Sequence, residues 1–328
     1  MDSKHIDRIF SLADDQGFQA LALETFRHQY VHNAVYGAYC RHLGTSPAQV
    51  TKLVDIPFLP LEFFKTHKVV SASDDAQIIF ESSGTTQSRT SKHFVHDLDI
   101  YRRSFTQGFT HFYGALGDFC ILALLPSYLE RQGSSLILMA DEMIKASGHP
   151  RSGFYLHDLE ALHHSLAALE RQGTKTLLIG VSFALLDLAE HYPMALEHTL
   201  IMETGGMKGR RKEMIRDELH DRLKTAFAVP RIHSEYGMTE LLSQAYSQGE
   251  GIFHCPPWMK IMARDTEDPL AVQSPGKTGG INIIDLANVH SCSFLATQDL
   301  GKVFPDGSFE VLGRFDHSDV RGCNLLVL

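Results

Sequence analysis

The sequence predicts an α/β fold, a mainly parallel sheet covered on both faces, followed by a smaller β-rich unit. Three observations carry this. Between about 76 and 236, short apolar runs of strand length alternate with amphipathic stretches of helix length, the pattern left by repeated strand–helix–strand crossovers. After 240 the apolar runs are short, and Pro-Gly and Asp-Gly turns separate them, which suits an antiparallel or barrel-like subdomain. The chain has 328 residues and is 44% hydrophobic, ample for a large core with a subdomain attached.

The elements follow in order. Residues 18–43 place Phe18, Leu21, Ala22 and Phe26 at helical spacing and stop at Gly44, so a helix is expected. IPFLPLEFFKTH (56–67) holds two prolines and three phenylalanines and reads as an extended, packed connector. Residues 1–75 are thus an N-terminal helical segment and connector. The α/β core is expected over 76–239. QIIFES, FCILALLPS, TKTLLIGVS, TLIMETGG and the start of RIHSEYGMTE read as its strands. DLDIYRRSFTQGFTHFYG, SSLILMADEMIKAS with Ser134 or Ser135 as cap, DLEALHHSLAALERQG, SFALLDLAEHY and RRKEMIRDELHDRLKTAF read as its helices. The β-rich unit is expected over 240–314, with a short tail at 315–328.

Composition excludes several classes. The formal net charge is −9 and no block of Lys or Arg occurs, which argues against a general nucleic-acid binder. The opening MDSKHIDRIFSLADDQG is charged and lacks the apolar stretch of a signal peptide. FCILALLP (119–126), the longest apolar run, is far short of the ~18 residues of a membrane span. Five cysteines, Cys40, Cys120, Cys255, Cys292 and Cys323, are scattered and include no CxxC. That argues against a disulfide framework or zinc ribbon and fits a reducing cytoplasm, the expected location. Among 19 histidines, His93 and His96 form HxxH and His163-His164 a doublet. Neither has an acidic ligand set, so surface or helix-face histidines are expected rather than a metal site.

Four motifs suit one chemistry. In FESSGTTQSRTSK (80–92) an apolar strand runs into a hydroxyl-rich turn around Gly84. Backbone N–H groups and hydroxyls there can meet phosphate oxygens, although an ordinary polar turn has the same composition and the GK[ST] ending of a Walker loop is missing. EYGMTE (235–240) offers Tyr236 as a flat face for a base, Gly237 for close backbone approach, a Thr239 hydroxyl and a Glu240 carboxylate for Mg²⁺. In LATQDLG (295–301), Asp299 can accept ribose hydroxyls, and in GRFDHSDVRG (313–322) Arg314 can reach a ribose or phosphate oxygen. Each is weak alone; their order is informative.

That order resembles the adenylate-forming superfamily of acyl- and aryl-CoA synthetases, luciferases and peptide-synthetase adenylation domains. Within it, IPFLPLEFFKTH, FESSGTT, ETGGMKGRR, SEYGMTELLSQAY, CPPWMKIMARD and GRFDHSDVRGCNLL resemble the LuxE-type acyl-protein synthetase family. The resemblance implies the superfamily's large domain, two α/β subdomains plus a small β-barrel, without the C-terminal lid domain that carries a catalytic lysine. It implies ATP and Mg²⁺ as cofactors and a carboxylic acid, by family a fatty acid, as substrate. It implies that Ser82, Ser83, Gly84, Thr85 and Thr86 wrap the phosphates. Tyr236 would lie against adenine with Gly237 and Met238 shaping that wall, Thr239 would hold the α-phosphate, Glu240 the metal, and Asp299 and Arg314 the ribose, with Asp316 at the hinge. The phosphate loop departs from the superfamily pattern: Gln87-Ser88-Arg89 stands where Gly and then Pro-Lys usually follow, with Lys92 later, leaving open which cation meets the phosphates. Phe183 and Met207 are candidates for an acyl-pocket wall, or simple core. Cys323 is the candidate acyl carrier by resemblance, with Cys255 next, and an acyl reductase or carrier protein is the implied partner. Two other readings stand beside this one: a ligase passing the acyl group to coenzyme A or an amine, and a non-catalytic nucleotide-binding or scaffolding subunit.

Overall fold

The computed structural model describes residues 1–71, 75–82, 89–125, 133–156, 158–205 and 214–315. Three helices open the chain, α1 (Ser3–Phe10), α2 (Asp15–His32) and α3 (Ala34–His42). The one helix expected over 18–43 is therefore two. Asn33 leaves helical geometry at φ −97°, ψ 105°, and its side chain caps α3 by accepting from the Tyr36 N–H at 3.0 Å. The connector is more regular than its prolines suggest: β1 (Leu59–Pro60) lies parallel to Leu295–Ala296, and α4 (Phe63–Thr66) follows as one turn of helix.

β2 (Ile78–Glu81) and β3 (Lys92–Val95) form a separate antiparallel hairpin, with Glu81 opposite Lys92. After it come α5 (Leu98–Tyr113), β4 (Cys120–Leu124), α6 (Ser135–Ser147), β5 (Gly153–Phe154), α7 (Leu159–Arg171), β6 (Thr176–Val181), α8 (Ser182–His191), β7 (Thr199–Thr204), α9 (Arg216–Phe227) and β8 (His233–Tyr236). Ser134 is the cap of α6, accepting from the Ile137 N–H. β5, β4, β6, β7 and β8 pair in parallel. Every residue of β4 and β6 is buried, which is why these strands read as unbroken apolar runs rather than alternating ones. Each buried Leu or Ile contributes roughly 1.5–3 kcal/mol. Gly180 lets α8 close onto β6: a Cβ there would sit 2.9 Å from Leu185 Cδ2 and 3.2 Å from the Leu124 carbonyl.

The β-rich part holds β9 (Ala245–Ser247), β10 (Ile252–His254), β11 (Met259–Arg264), β12 (Thr278–Asp285), β13 (Phe294–Val303) and β14 (Phe309–Arg314), paired antiparallel. These strands continue the parallel sheet through β8–β9, giving the order β11-β12-β13-β14-β10-β9-β8-β7-β6-β4-β5, with β1 on β13. The N-terminal helices lock onto this half. Phe26 and Tyr36 pack on Phe294, and the Gln29 amide donates to the carbonyls of Asn288 and Val289 at 3.1 and 3.2 Å. Among the described residues no helix is long and apolar enough to cross a membrane.

Candidate active site

The parallel strands β6, β7 and β8 all end at one edge, where open α/β sheets bind ligands. β8 ends at Tyr236, and the segment Gly237–Gln244 turns there before β9 begins. Three contacts hold this turn. His93 of β3 donates from Nδ1 to the Thr239 carbonyl at 2.9 Å. The Asn288 amide donates to the Glu240 carbonyl at 2.8 Å. The Asp285 carboxylate accepts from the N–H groups of Leu242 and Ser243 at 2.9 and 3.0 Å and from the Ser243 hydroxyl at 2.6 Å. A buried carboxylate taking this many donors over-determines the backbone it grips.

On one side of the turn, Tyr236, Asp299 and Arg314 form a cluster. The Tyr236 hydroxyl donates to Asp299 Oδ2 at 2.7 Å, and Arg314 Nε donates to Oδ1 at 3.0 Å. The cross-strand register, Asp299 opposite Arg314, creates the second contact. The Asp299 side chain is almost buried at 9% exposure and that of Arg314 is 77% exposed. Each Asp299 oxygen keeps further acceptor capacity. Burial pushes the Tyr236 hydroxyl well above its usual range, with the Asp299 charge adding to it, so it stays a donor. The ring of Tyr236 meets Phe253 and Phe309 edge-on, so its role in the fold is to fix Asp299 as much as to present a face.

On the other side stand Glu240 and the base of the hairpin turn. The Ser82 hydroxyl accepts from the Ser91 N–H at 2.8 Å, and the Ser91 side chain neighbours the Glu240 carboxyl. Glu240 is buried, which raises its titration; the Ser91 hydroxyl and the charges of Lys65 and Arg314 oppose that shift. Met238 and Thr239 are half-buried on the same turn, and Gly237 is exposed. Tyr236, Gly237, Met238, Thr239 and Glu240 thus lie at the end of β8 and on the turn after it, with Asp299 and Arg314 joined to Tyr236 and Ser82 joined through Ser91 beside Glu240. Ser83, Gly84, Thr85, Thr86, Asp316, Met207 and Cys323 lie outside the described residues.

A third cluster escaped sequence reasoning. Glu235 is directed under the turn, where its carboxyl accepts from the Thr204 hydroxyl at 2.5 Å. A Cβ on Gly237 would meet the Glu235 carboxyl, so the missing side chain leaves room for that group in its present position. Burial raises the Glu235 carboxyl to about 7, and neighbouring Glu203 adds to it. Glu203 in turn accepts from the Ser182 hydroxyl at 3.1 Å. No local signal marked this cluster, because Thr204 and Glu235 meet only through the β7–β8 register. His93 escaped too. It is buried rather than at the surface, since β3 turns that face inward against Phe64 and Phe80, and burial lowers its imidazole to about 4. Phe183 is buried at the start of α8. Cys255 is partly buried, and burial pushes its thiol upward, away from the reactive thiolate. No group of three His, Cys, Asp or Glu side chains suited to a metal occurs among the described residues. The single buried carboxylate of Glu240 is compatible with Mg²⁺, which takes one or two protein carboxylates and completes its shell with phosphates and water.

Residues 8–128 match the family model described as acyl-protein synthetase, LuxE. No curated protein matches the chain. Solved structures share the fold. ATP-bound MatB from Rhodopseudomonas palustris superposes with a TM-score of 0.56 at 19% identity, covering 74% of this chain and 49% of that one. An open conformation of 2-hydroxyisobutyryl-CoA ligase, in complex with 2-HIB-AMP and CoA, gives 0.64 at 13% identity over 94% and 77%. The luciferase-like enzyme of the nonluminescent mealworm Zophobas morio gives 0.51 at 17% identity over 75% and 59%. The fold is thus that of the large domain of adenylate-forming enzymes, and the chain spans about half the length of the MatB structure.

Proposed function

We propose that the protein activates a carboxylic acid with ATP and passes the acyl group to a thiol. The observation that carries this reading is the convergence of the Tyr236–Asp299–Arg314 cluster and the Ser82–Ser91–Glu240 cluster on one turn at the ends of parallel strands. The match of residues 8–128 to an acyl-protein synthetase model and the adenylate-forming fold support it. A substrate carboxylate oxygen attacks the α-phosphorus in line, the bond to the bridging oxygen breaks, and pyrophosphate leaves with that electron pair. A thiolate then attacks the acyl carbonyl and AMP departs. Asp299 and Arg314 hold the ribose, Tyr236 fixes Asp299, Ser82 with Ser83, Gly84, Thr85 and Thr86 wraps the phosphates, and Thr239 holds the α-phosphate. Glu240 is the Mg²⁺ ligand, and the ion supplies charge neutralisation at the phosphates when bound.

The acid is a fatty acid in this reading and the acceptor Cys323, reached in the cytoplasm with an acyl reductase or carrier protein as partner. One observation favours a second acceptor: a solved neighbour is in complex with 2-HIB-AMP and CoA. ATP–pyrophosphate exchange measured over fatty, aryl and amino acids tests the first step. Exchange with at least one acid class is expected; none across the panel, with the partner reductase present, sinks the reading. Labelled acid then separates the acceptors. A hydroxylamine-labile label lost in Cys323→Ser, with exchange intact, supports the protein thiol, and labelled acyl-CoA supports the other.

The ribose role predicts a binding defect. Asp299→Asn is expected to weaken ATP binding about tenfold while turnover at saturating ATP changes less than about threefold, because ribose contacts persist through the reaction. Titration calorimetry and exchange kinetics check the split, and the reverse split excludes the assignment.

A further inference from the structure

Among the described residues, Lys65, Lys68, Arg89, Lys92 and Arg314 are cations on the hairpin, on the connector packed against it, or within charge range of Glu240. Three are engaged. Lys92 pairs with Glu81 at 3.2 Å, Arg314 with Asp299 at 3.0 Å, and the Lys68 ammonium lies over the Phe94 ring, 5.2 Å from its centre. Among the described residues Lys65 and Arg89 make no ion pair.

The connector around Lys65 is held from two sides. Leu59–Pro60 pairs in register with Leu295–Ala296, on the strand that carries Asp299. The Glu62 carboxylate accepts from the amide of Gln298, the neighbour of Asp299. The buried ring of Phe64 meets His93 edge-on, centroids 5.8 Å apart, and His93 holds the Thr239 carbonyl. The connector is thereby tied to the ribose cluster at one end and to the Thr239–Glu240 turn at the other. Lys65 itself is exposed, and its charge reaches Glu240.

We propose that Lys65 contacts the phosphate chain of the nucleotide, supplying from the N-terminal connector the cation that the hairpin turn lacks at its usual place. A lysine suits this role, because an ammonium on a flexible stem follows a phosphate whose charge shifts from the triphosphate to departing pyrophosphate. The pinned backbone limits the search that stem must make. Lys65 takes this role only if the nucleotide reading above holds, and the test keeps the two apart.

Native protein, Lys65→Met, Lys65→Arg and Lys68→Met are compared for binding of ATP, pyrophosphate and AMP by calorimetry, with thermal melts confirming the fold. Lys65→Met is expected to lose about tenfold or more in ATP and pyrophosphate affinity, the scale of one charge-assisted hydrogen bond, with AMP affinity within about twofold. Lys65→Arg is expected to recover most of the loss, and Lys68→Met to bind like the native protein. ATP affinity unchanged in Lys65→Met overturns the inference, and so does an equal loss for ATP and AMP. Native protein that binds neither nucleotide overturns the nucleotide reading itself.

Discussion

Replacing Glu240 by Gln is expected to slow ATP–pyrophosphate exchange by about 100-fold or more while changing ATP affinity by less than about threefold. The asymmetry follows from where Glu240 sits. Its carboxyl is buried beside Ser91, at the base of the β2–β3 hairpin, and four residues beyond Tyr236. A negative charge there costs desolvation, which the Ser91 hydroxyl and the cations Lys65 and Arg314 partly offset. A charge kept at such a cost is best explained by work done when phosphate charge is redistributed. Gln retains the shape and removes the charge, so the fold is expected to hold or gain slightly. Exchange rates, ATP titration and the urea midpoint of the variant together check this. A loss of ATP affinity matching the loss of exchange would assign Glu240 to ground-state binding instead.

The sequence marked a candidate site where its signal is local. EYGMTE, Asp299 and Arg314 were readable because residue type and order carry the message, and the structure brings them to one turn. Strand and helix placement in the core was readable because β4 and β6 are buried on every side and β13 alternates along its length. What stayed hidden depends on sheet order. Tyr236 looks like a free aromatic face until its hydroxyl is seen donated to Asp299 of β13, a strand separated from β8 by three others in the sheet order. The link from Phe64 through His93 to Thr239 joins a connector, a hairpin and a turn separated by more than a hundred positions. Local spacing contains nothing of that kind. Asn33 was hidden for another reason: hydrophobic spacing continues across it, and only its capping bond breaks the helix.

Glu235→Gln is expected to change stability with a distinctive pH signature. In the fold Glu235 titrates near about 7, against 4.5 for an unperturbed glutamate, because burial disfavours its charge and Glu203 repels it; the Thr204 bond opposes both. Tyr101 of α5 and Tyr246 of β9 also face it; burial, with the Glu235 charge adding to it, raises their hydroxyls, so both remain neutral. The folded protein therefore keeps a proton that the unfolded chain releases between pH 4.5 and 7. Unfolding is favoured progressively through that window, by up to about 3 kcal/mol at its upper end, and the penalty is constant above it. His93 and His233, both lowered to about 4, act in the opposite sense and cost stability as pH falls below 6.5. They are shared by native protein and variant, so the difference between the two isolates Glu235. Gln at 235 cannot ionise and still offers an oxygen to Thr204. The variant is expected to match the native protein near pH 4.5 and to exceed it by up to about 3 kcal/mol at pH 8 in urea unfolding. A difference that stays flat with pH, or that grows toward acid, would show that Glu235 is ionised in the fold. The titrating group lies beneath Gly237, the residue whose missing side chain leaves room for it. If ATP affinity of the native protein, but not of the variant, shifts with pH through 7, then Glu235 also sets the height of the turn on which Tyr236 and Glu240 depend.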